Sequence, residues 1–199
     1  MKTNLKSAKS SEVNINRIKC VLCFTAVFVP SLFTTMFFDT QFWIMQIFLF
    51  MLGWFSWTFI EYFAHRFWMH SLNKNTQSNH LHHHSHPTEI KITSVQRILL
   101  LSLMAIFIYF SCILQNYFIL FAGFFSGFAG YTFVHVMLHT RWCAKLFPRL
   151  CEFHIHHHCK YPDKCFGVTS TWWDYIFKTI PPKNVTITPR IKAFYFGEK

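Results

Sequence analysis

Charge is scarce in this sequence. Only 14% of its 199 residues are Asp, Glu, Lys or Arg, whereas a soluble domain carries about a quarter. Hydrophobic residues make up 52%, with 26 Phe, a composition that speaks against an ordinary water-soluble globule. The missing charge is localised. No Lys or Arg occurs between Cys20 and His65 or between Ile98 and Thr140, and all nineteen lie outside those two windows. A basic stripe on a soluble fold, the usual mark of a nucleic-acid binder, is therefore absent, and no nucleic-acid partner is expected. The net charge of +11 lies beside apolar runs, where it suits anionic lipid head groups. The seven cysteines form no secreted disulfide framework. Cys20-x-x-Cys23 opens an apolar run and reads as packing. Cys151, Cys159 and Cys165 match the spacing of no closed zinc site. No small-x-small cleavage site closes the first apolar run, which reads as an uncleaved membrane helix rather than a signal peptide.

Four apolar runs remain once the charge is set aside: 20–38, 40–63, 98–114 and 117–138. Each is near the roughly 20 residues that a bilayer core requires of a helix. Asp39-Thr40 and Gln115-Asn116 leave room only for tight turns, so the runs pair as two hairpins. Pro30 would kink the first helix, which membranes tolerate. Gly123, Gly127 and Gly130 in the fourth would let another helix approach closely. Two hairpins return every long polar segment to one side. That side carries all the Lys and Arg, which makes it cytoplasmic by the positive-inside rule. The expected fold is an all-α, multi-pass integral membrane protein with four transmembrane helices and a cytosolic helical cap. Residues 1–19 form a basic cytosolic tail, 20–180 the membrane domain, and 181–199 a short irregular tail begun by Pro181-Pro182.

All thirteen histidines fall in four short stretches beside these runs: His65-x-x-x-x-His70, His80-x-x-His83-His84, His135-x-x-x-His139 and His154-x-x-His157-His158. These spacings use ten, and leave His82, His86 and His156 over. Neutral imidazole is the commonest metal ligand, and ten are too many for one ion, so two ions are expected. Residues three and four apart share a helical face, so each His-x-x-His-His triplet should project into one sector. His65 and His70 lie about 140° apart on an ideal helix and would reach either different metals or one metal from a helix end. Imidazole suits iron as well as zinc. A redox pair at a membrane surface points to O2 activation, and structural zinc is the alternative.

The run Trp57-Thr58-Phe59-Ile60-Glu61-Tyr62-Phe63-Ala64-His65-Arg66-Phe67-Trp68-Met69-His70 resembles the first motif of the fatty acid hydroxylase / sterol desaturase superfamily. Its Glu-Tyr-x-x-His-Arg-Phe-x-x-His form is most similar to the fatty acid 2-hydroxylase branch. His80-x-x-His83-His84-x-x-Pro87 resembles the second motif. Gly127 to His139 resembles the third, with Tyr131 in its aromatic position and Thr132 where the branch usually has an acid. His154-x-x-His157-His158, followed by Phe166-Gly167-Val168-Thr169-Ser170 and Trp173-Asp174-Tyr175-Ile176-Phe177, resembles the last. The likeness covers roughly residues 53 to 180. It departs after the second motif, where Thr88 to Arg97 replaces an Arg-Leu-Val-x-Pro-Pro segment.

This resemblance implies a membrane di-iron centre, with zinc possible as purified. Its ligands would be His65, His70, His80, His83, His84, His135, His139, His154, His157 and His158. It implies O2-dependent hydroxylation of a fatty acyl or related lipid. The reductant would be external, a cytochrome b-type haem protein or a ferredoxin with its reductase, because residues 1–19 cannot hold the haem domain fused in some members. Glu61, one turn before His65, and Asp174 are candidates to orient the imidazoles, with a salt bridge or cap as the alternative for Asp174. Phe67, Trp68, Trp172 and Trp173 are candidates to line an apolar groove or to anchor the protein at the interface. The rival readings are a sterol or carotenoid oxidase or desaturase of the same superfamily, and a non-enzymatic metal-binding membrane protein. Transport fits poorly, because the third run buries essentially no polar side chain and the fourth little beyond Ser126 before His135. The host membrane would be the bacterial inner membrane or the endoplasmic reticulum.

Overall fold

The computed structural model describes residues 43–72, 74–89 and 118–198, with isolated positions between 22 and 26 and between 98 and 113. The first and third expected spans therefore lie largely outside the described residues. Every element among the described residues is helical. Helix α1 spans Trp43–Phe63 and continues as a π-helical segment, Ala64–Leu72. The others are α2 (Lys74–Ser85), α3 (Phe118–Leu138), α4 (Arg141–Leu146), α5 (Pro148–Cys159), α6 (Trp172–Ile176) and α7 (Pro189–Phe196). Two of these helices are long and apolar enough to cross a membrane, Trp43–His70 and Ile119–Leu138. They correspond to the second and fourth expected spans. Ile44, Phe48, Met51, Leu52 and Phe55 are all exposed along α1. Such a continuous apolar surface requires a cover, and lipid suits it.

The chain divides into two compact units. One comprises Ile15–Thr58 and Lys91–Phe133. In it α1 and α3 meet backbone to backbone. A Cβ at Gly53 would collide with the carbonyl oxygen of Leu120, and one at Gly123 with that of Phe50. Gly127, four residues on, receives the side chain of Trp57. The Gly123-x-x-x-Gly127 pair thus forms the flat stripe that close helix packing needs. Phe50, Ile119 and Ala122 are buried around it. Gly123→Leu should force the helices apart and lower stability by at least the ~1–3 kcal/mol typical of overpacking. A thermal melt in detergent checks this; an unchanged melting temperature would contradict the close approach.

The other unit comprises Phe59–Ile90 and Val134–Lys199, with the chain start. Its helices have well-defined ends. Thr140 caps α4 by accepting from Cys143 N (3.2 Å). Pro148 stands in the first turn of α5, where the missing N–H costs nothing. Residues 153–158 of α5 are all buried, which places this helix at the centre of the unit. The chain end differs from the expected irregular tail. Thr188 caps α7, Pro189 starts it, and Gly197 ends it in the left-handed conformation (φ 68°), as helix stops favour.

Candidate metal centre

All ten expected ligands lie in this second unit, and they separate into two groups of five. His65, His70, His80, His84 and His157 form the first; His83, His135, His139, His154 and His158 form the second. Within each group, one ring nitrogen per residue lies within 4.8 Å of all the others. The partition is not the one that spacing suggests. Each His-x-x-His-His triplet is split. In α2 the i, i+4 pair His80/His84 serves the first group and His83 the second. In α5 the pair His154/His158 serves the second group and His157 the first. His135 and His139, also four apart, complete the second group.

His65 and His70 complete the first, and the π-helical segment is the reason they can. Bonding i to i+5 places residues five apart on one face, so two rings that an α-helix would splay converge here. Their ring centres are 5.3 Å apart. The two groups adjoin through His84 and His158, whose rings stack at 4.3 Å and 11°.

The nitrogen geometry fits metal shells better than hydrogen bonding. His80 Nε2 lies 3.1 Å from His65 Nε2, 2.9 Å from His70 Nε2 and 3.0 Å from His84 Nε2. One imidazole nitrogen carries a single proton or a single lone pair and cannot satisfy three partners. In the second group His83 Nε2 is 3.1 Å from His135 Nε2, and His154 Nε2 is 3.2 Å from His139 Nε2. A metal bound at ~2.0–2.1 Å to each nitrogen would set adjacent ligands about 3 Å apart and opposite ones about 4.2 Å apart. Both ring nitrogens of His158 are buried without a hydrogen-bond partner among the described residues, as a ring awaiting a cation would be.

Protonation favours the same use. Burial first, and neighbouring imidazoles second, push His84 down to about 3 and His80, His154, His157 and His158 well below their ordinary range. Burial chiefly lowers His83 to about 4. The lone pairs are thus available at neutral pH. Linkage follows: a His with a depressed folded value binds its proton more readily when unfolded. The metal-free unit should be most stable above pH 6.5, the ordinary His value, and lose stability steadily as pH falls toward 4 and 3. Acid unfolding followed by circular dichroism checks the window; a flat profile between pH 6.5 and 4 would contradict it.

Two rings of the first group are oriented by backbone. His65 Nδ1 donates to the Phe166 carbonyl (2.6 Å), and His157 Nδ1 to the Lys164 carbonyl (2.7 Å). This fixes the tautomer that leaves each Nε2 lone pair facing inward. The carbonyls flank Cys165, whose φ of 58° turns the chain sharply. Two buried carboxylates hold the loop. Asp174 accepts from Phe166 N and Gly167 N (both 2.9 Å) and from the Thr179 hydroxyl (2.7 Å). Glu61 accepts from Val168 N (2.7 Å), Thr169 N (2.8 Å) and the Thr169 hydroxyl (2.6 Å). A relay continues outward: Arg66 donates to Tyr62 Oη (3.1 Å), which donates to Thr179 Oγ1 (2.8 Å). Burial raises the Asp174 carboxyl, and its hydrogen bonds oppose the rise.

Among the described residues, the hydrogen bonds of Glu61 and Asp174 therefore run to the loop and its flanking threonine hydroxyls. The carbonyls of Lys164 and Phe166 carry no side-chain signature and could not be found by pattern. His82 and His86 stack on each other at 4.5 Å on the surface. His156 is buried but belongs to neither group. Phe67, Trp68 and Trp172 are exposed, whereas Trp173 packs edge-on against Phe59 at 4.8 Å.

The model of the fatty acid hydroxylase family matches residues 50–179. A dihydroceramide fatty acyl 2-hydroxylase of Arabidopsis thaliana is 33% identical over 144 residues, covering 65% of this chain and 59% of the relative. The ceramide very long chain fatty acid hydroxylase of Saccharomyces cerevisiae is 33% identical over 66% of this chain and 38% of its own length. The fatty acid 2-hydroxylase of Mus musculus is 28% identical over 68% and 40%. The chain thus spans between 38% and 59% of the length of these relatives. The solved structure of full-length scs7p, in which only the hydroxylase domain is visible, superimposes with a TM-score of 0.51 at 23% identity. That match covers 88% of this chain and 69% of the other, a likeness of fold.

Proposed function

Because the chain belongs to the fatty acid hydroxylase family, we propose that it is a membrane enzyme inserting a hydroxyl group into a C–H bond of a lipid's fatty acyl chain. The observation that carries this reading is the convergence of ten imidazoles into two adjoining groups of five. A purely structural zinc site needs only four ligands. Two iron ions held there would supply the activation of O2, with two electrons from an external haem protein or ferredoxin and two protons from solvent. One oxygen atom enters the C–H bond and the other leaves as water. The chain itself keeps His80, His83, His84, His154, His157 and His158 neutral by burial and fixes the His65 and His157 tautomers through the Phe166 and Lys164 carbonyls.

The names of the relatives point to the acyl chain of a ceramide-class lipid and to hydroxylation at its second carbon. The centre faces the cytoplasm in this reading, since every Lys and Arg lies outside the two apolar windows. Anaerobically purified protein loaded with iron, given a reductant and O2, should convert a ceramide or fatty acid to a product one oxygen heavier by mass spectrometry. Oxidation of a sterol or carotenoid alone would favour the rival enzymes of the superfamily. Iron-loaded protein that leaves every lipid of such a panel unchanged would overturn the proposal.

A further inference from the structure

The C-terminal helix α7 lies beyond the stretch that matches the family, residues 50–179, yet it delivers a fully buried aromatic ring to the second histidine group. Tyr195 has no exposed surface. Its ring stacks on His139 at 4.7 Å and 30°, and meets His158 at 5.6 Å and 79° and His154 at 6.2 Å and 83°. One side chain therefore touches three of the five imidazoles. Its hydroxyl donates to the carbonyl of Leu138 (3.2 Å), the residue that ends α3 just before His139.

The helix is well anchored. Glu198 pairs with Arg141, and Lys160 Nζ donates to the Thr186 carbonyl (2.8 Å). Gly197 packs so closely that a Cβ would lie 2.7 Å from Thr88 Cγ2. Unlike His65 and His157, His158 has no backbone carbonyl to orient it, and its ring nitrogens find no hydrogen-bond partner among the described residues. A ring without a hydrogen bond to set its rotation depends on what packs against its face.

We infer that Tyr195 is a positioning residue for the second group, setting the His139, His154 and His158 ring planes by packing against them. The inference rests on the two-metal reading above. Removing a group that orients ligands costs about 10–100-fold in metal affinity, and here the loss should be confined to one of two sites.

The test is titration of the metal-free full chain with cobalt(II), followed by absorption and calorimetry, with His158→Ala marking which binding step belongs to the second group. Tyr195→Ala should weaken that step by about 10–100-fold and leave the other unchanged. Tyr195→Leu, which fills the space without a flat face, should weaken the same step and serves if the Ala variant does not fold. Tyr195→Phe keeps the ring and should bind within a few-fold of the wild type, because it loses only the bond to Leu138. Two unchanged steps in Tyr195→Leu, equal weakening of both steps, or a Phe variant as poor as Leu would each overturn the inference. A wild-type chain that binds no cobalt would instead overturn the two-metal reading beneath it.

Discussion

His157→Ala and His158→Ala should each abolish the proposed lipid hydroxylation while removing metal from different histidine groups. The two residues are neighbours in α5, yet His157 belongs with His65, His70, His80 and His84, and His158 with His83, His135, His139 and His154. Each variant deletes one nitrogen from a shell of five and opens a cavity at a buried position. The loss in activity should exceed the ~10–100-fold typical of groups that merely support a ligand. Iron content per chain should fall in both, because each leaves one site intact and the other depleted. Adding the two changes together should remove essentially all bound iron. His82→Ala is the contrast. That ring is exposed and outside both groups, so activity and iron content should stay within a few-fold of the wild type. Metal analysis beside product formation decides the matter. Full iron in either single variant, or comparable loss in His82→Ala, would mean that the ligand sets are wrong.

The sequence makes the ten histidines visible because imidazoles at i, i+3 and i+4 beside apolar runs are hard to explain as packing. Their partition is not visible for two physical reasons. A His-x-x-His-His triplet spans more of the helical circumference than one ion can collect, so the i+3 ring goes to the neighbouring group. The pair His65/His70 looks misplaced under α-helical geometry, and only the π-helical segment Ala64–Leu72 aligns it. No residue type in that stretch announces a change of helical pitch. The glycines were more legible: Gly123 and Gly127 promised close packing, and α1 meets them backbone to backbone. Glu61 and Asp174 are legible as candidates to orient the imidazoles, but their partners are main-chain amides of a loop and the hydroxyls of Thr169 and Thr179, which no local pattern announces. Tyr195 had no local signal, since its role depends on a long-range fold of residues that read as a polar tail.

Asp174→Ala should be among the most destabilising single changes in the histidine-bearing unit, and it should loosen metal binding at the first histidine group more than at the second. The Asp174 carboxylate is fully buried and satisfies three donors, Phe166 N, Gly167 N and the Thr179 hydroxyl. Each buried donor left without an acceptor costs about 1–3 kcal/mol, and the Ala variant leaves the three together beside a new cavity. Asp174→Asn retains shape but offers one oxygen, and its amide group would face an N–H, so it should lose at least one such increment. The structural damage and the metal effect share a route. Phe166 N is held by Asp174 while the Phe166 carbonyl holds His65, and Lys164, whose carbonyl holds His157, lies two residues earlier on the same turn. Glu61→Gln should act on the same loop from its other end, through Val168 and Thr169. Thermal melts of the metal-free protein measure the first effect, and cobalt(II) titration against the His157→Ala reference measures the second. If Asp174→Asn and Glu61→Gln lower stability but weaken both binding steps alike, the loop is a general brace for the unit. If the step removed by His157→Ala weakens alone, the carboxylates act through the loop carbonyls on the first group, as the hydrogen bonds require.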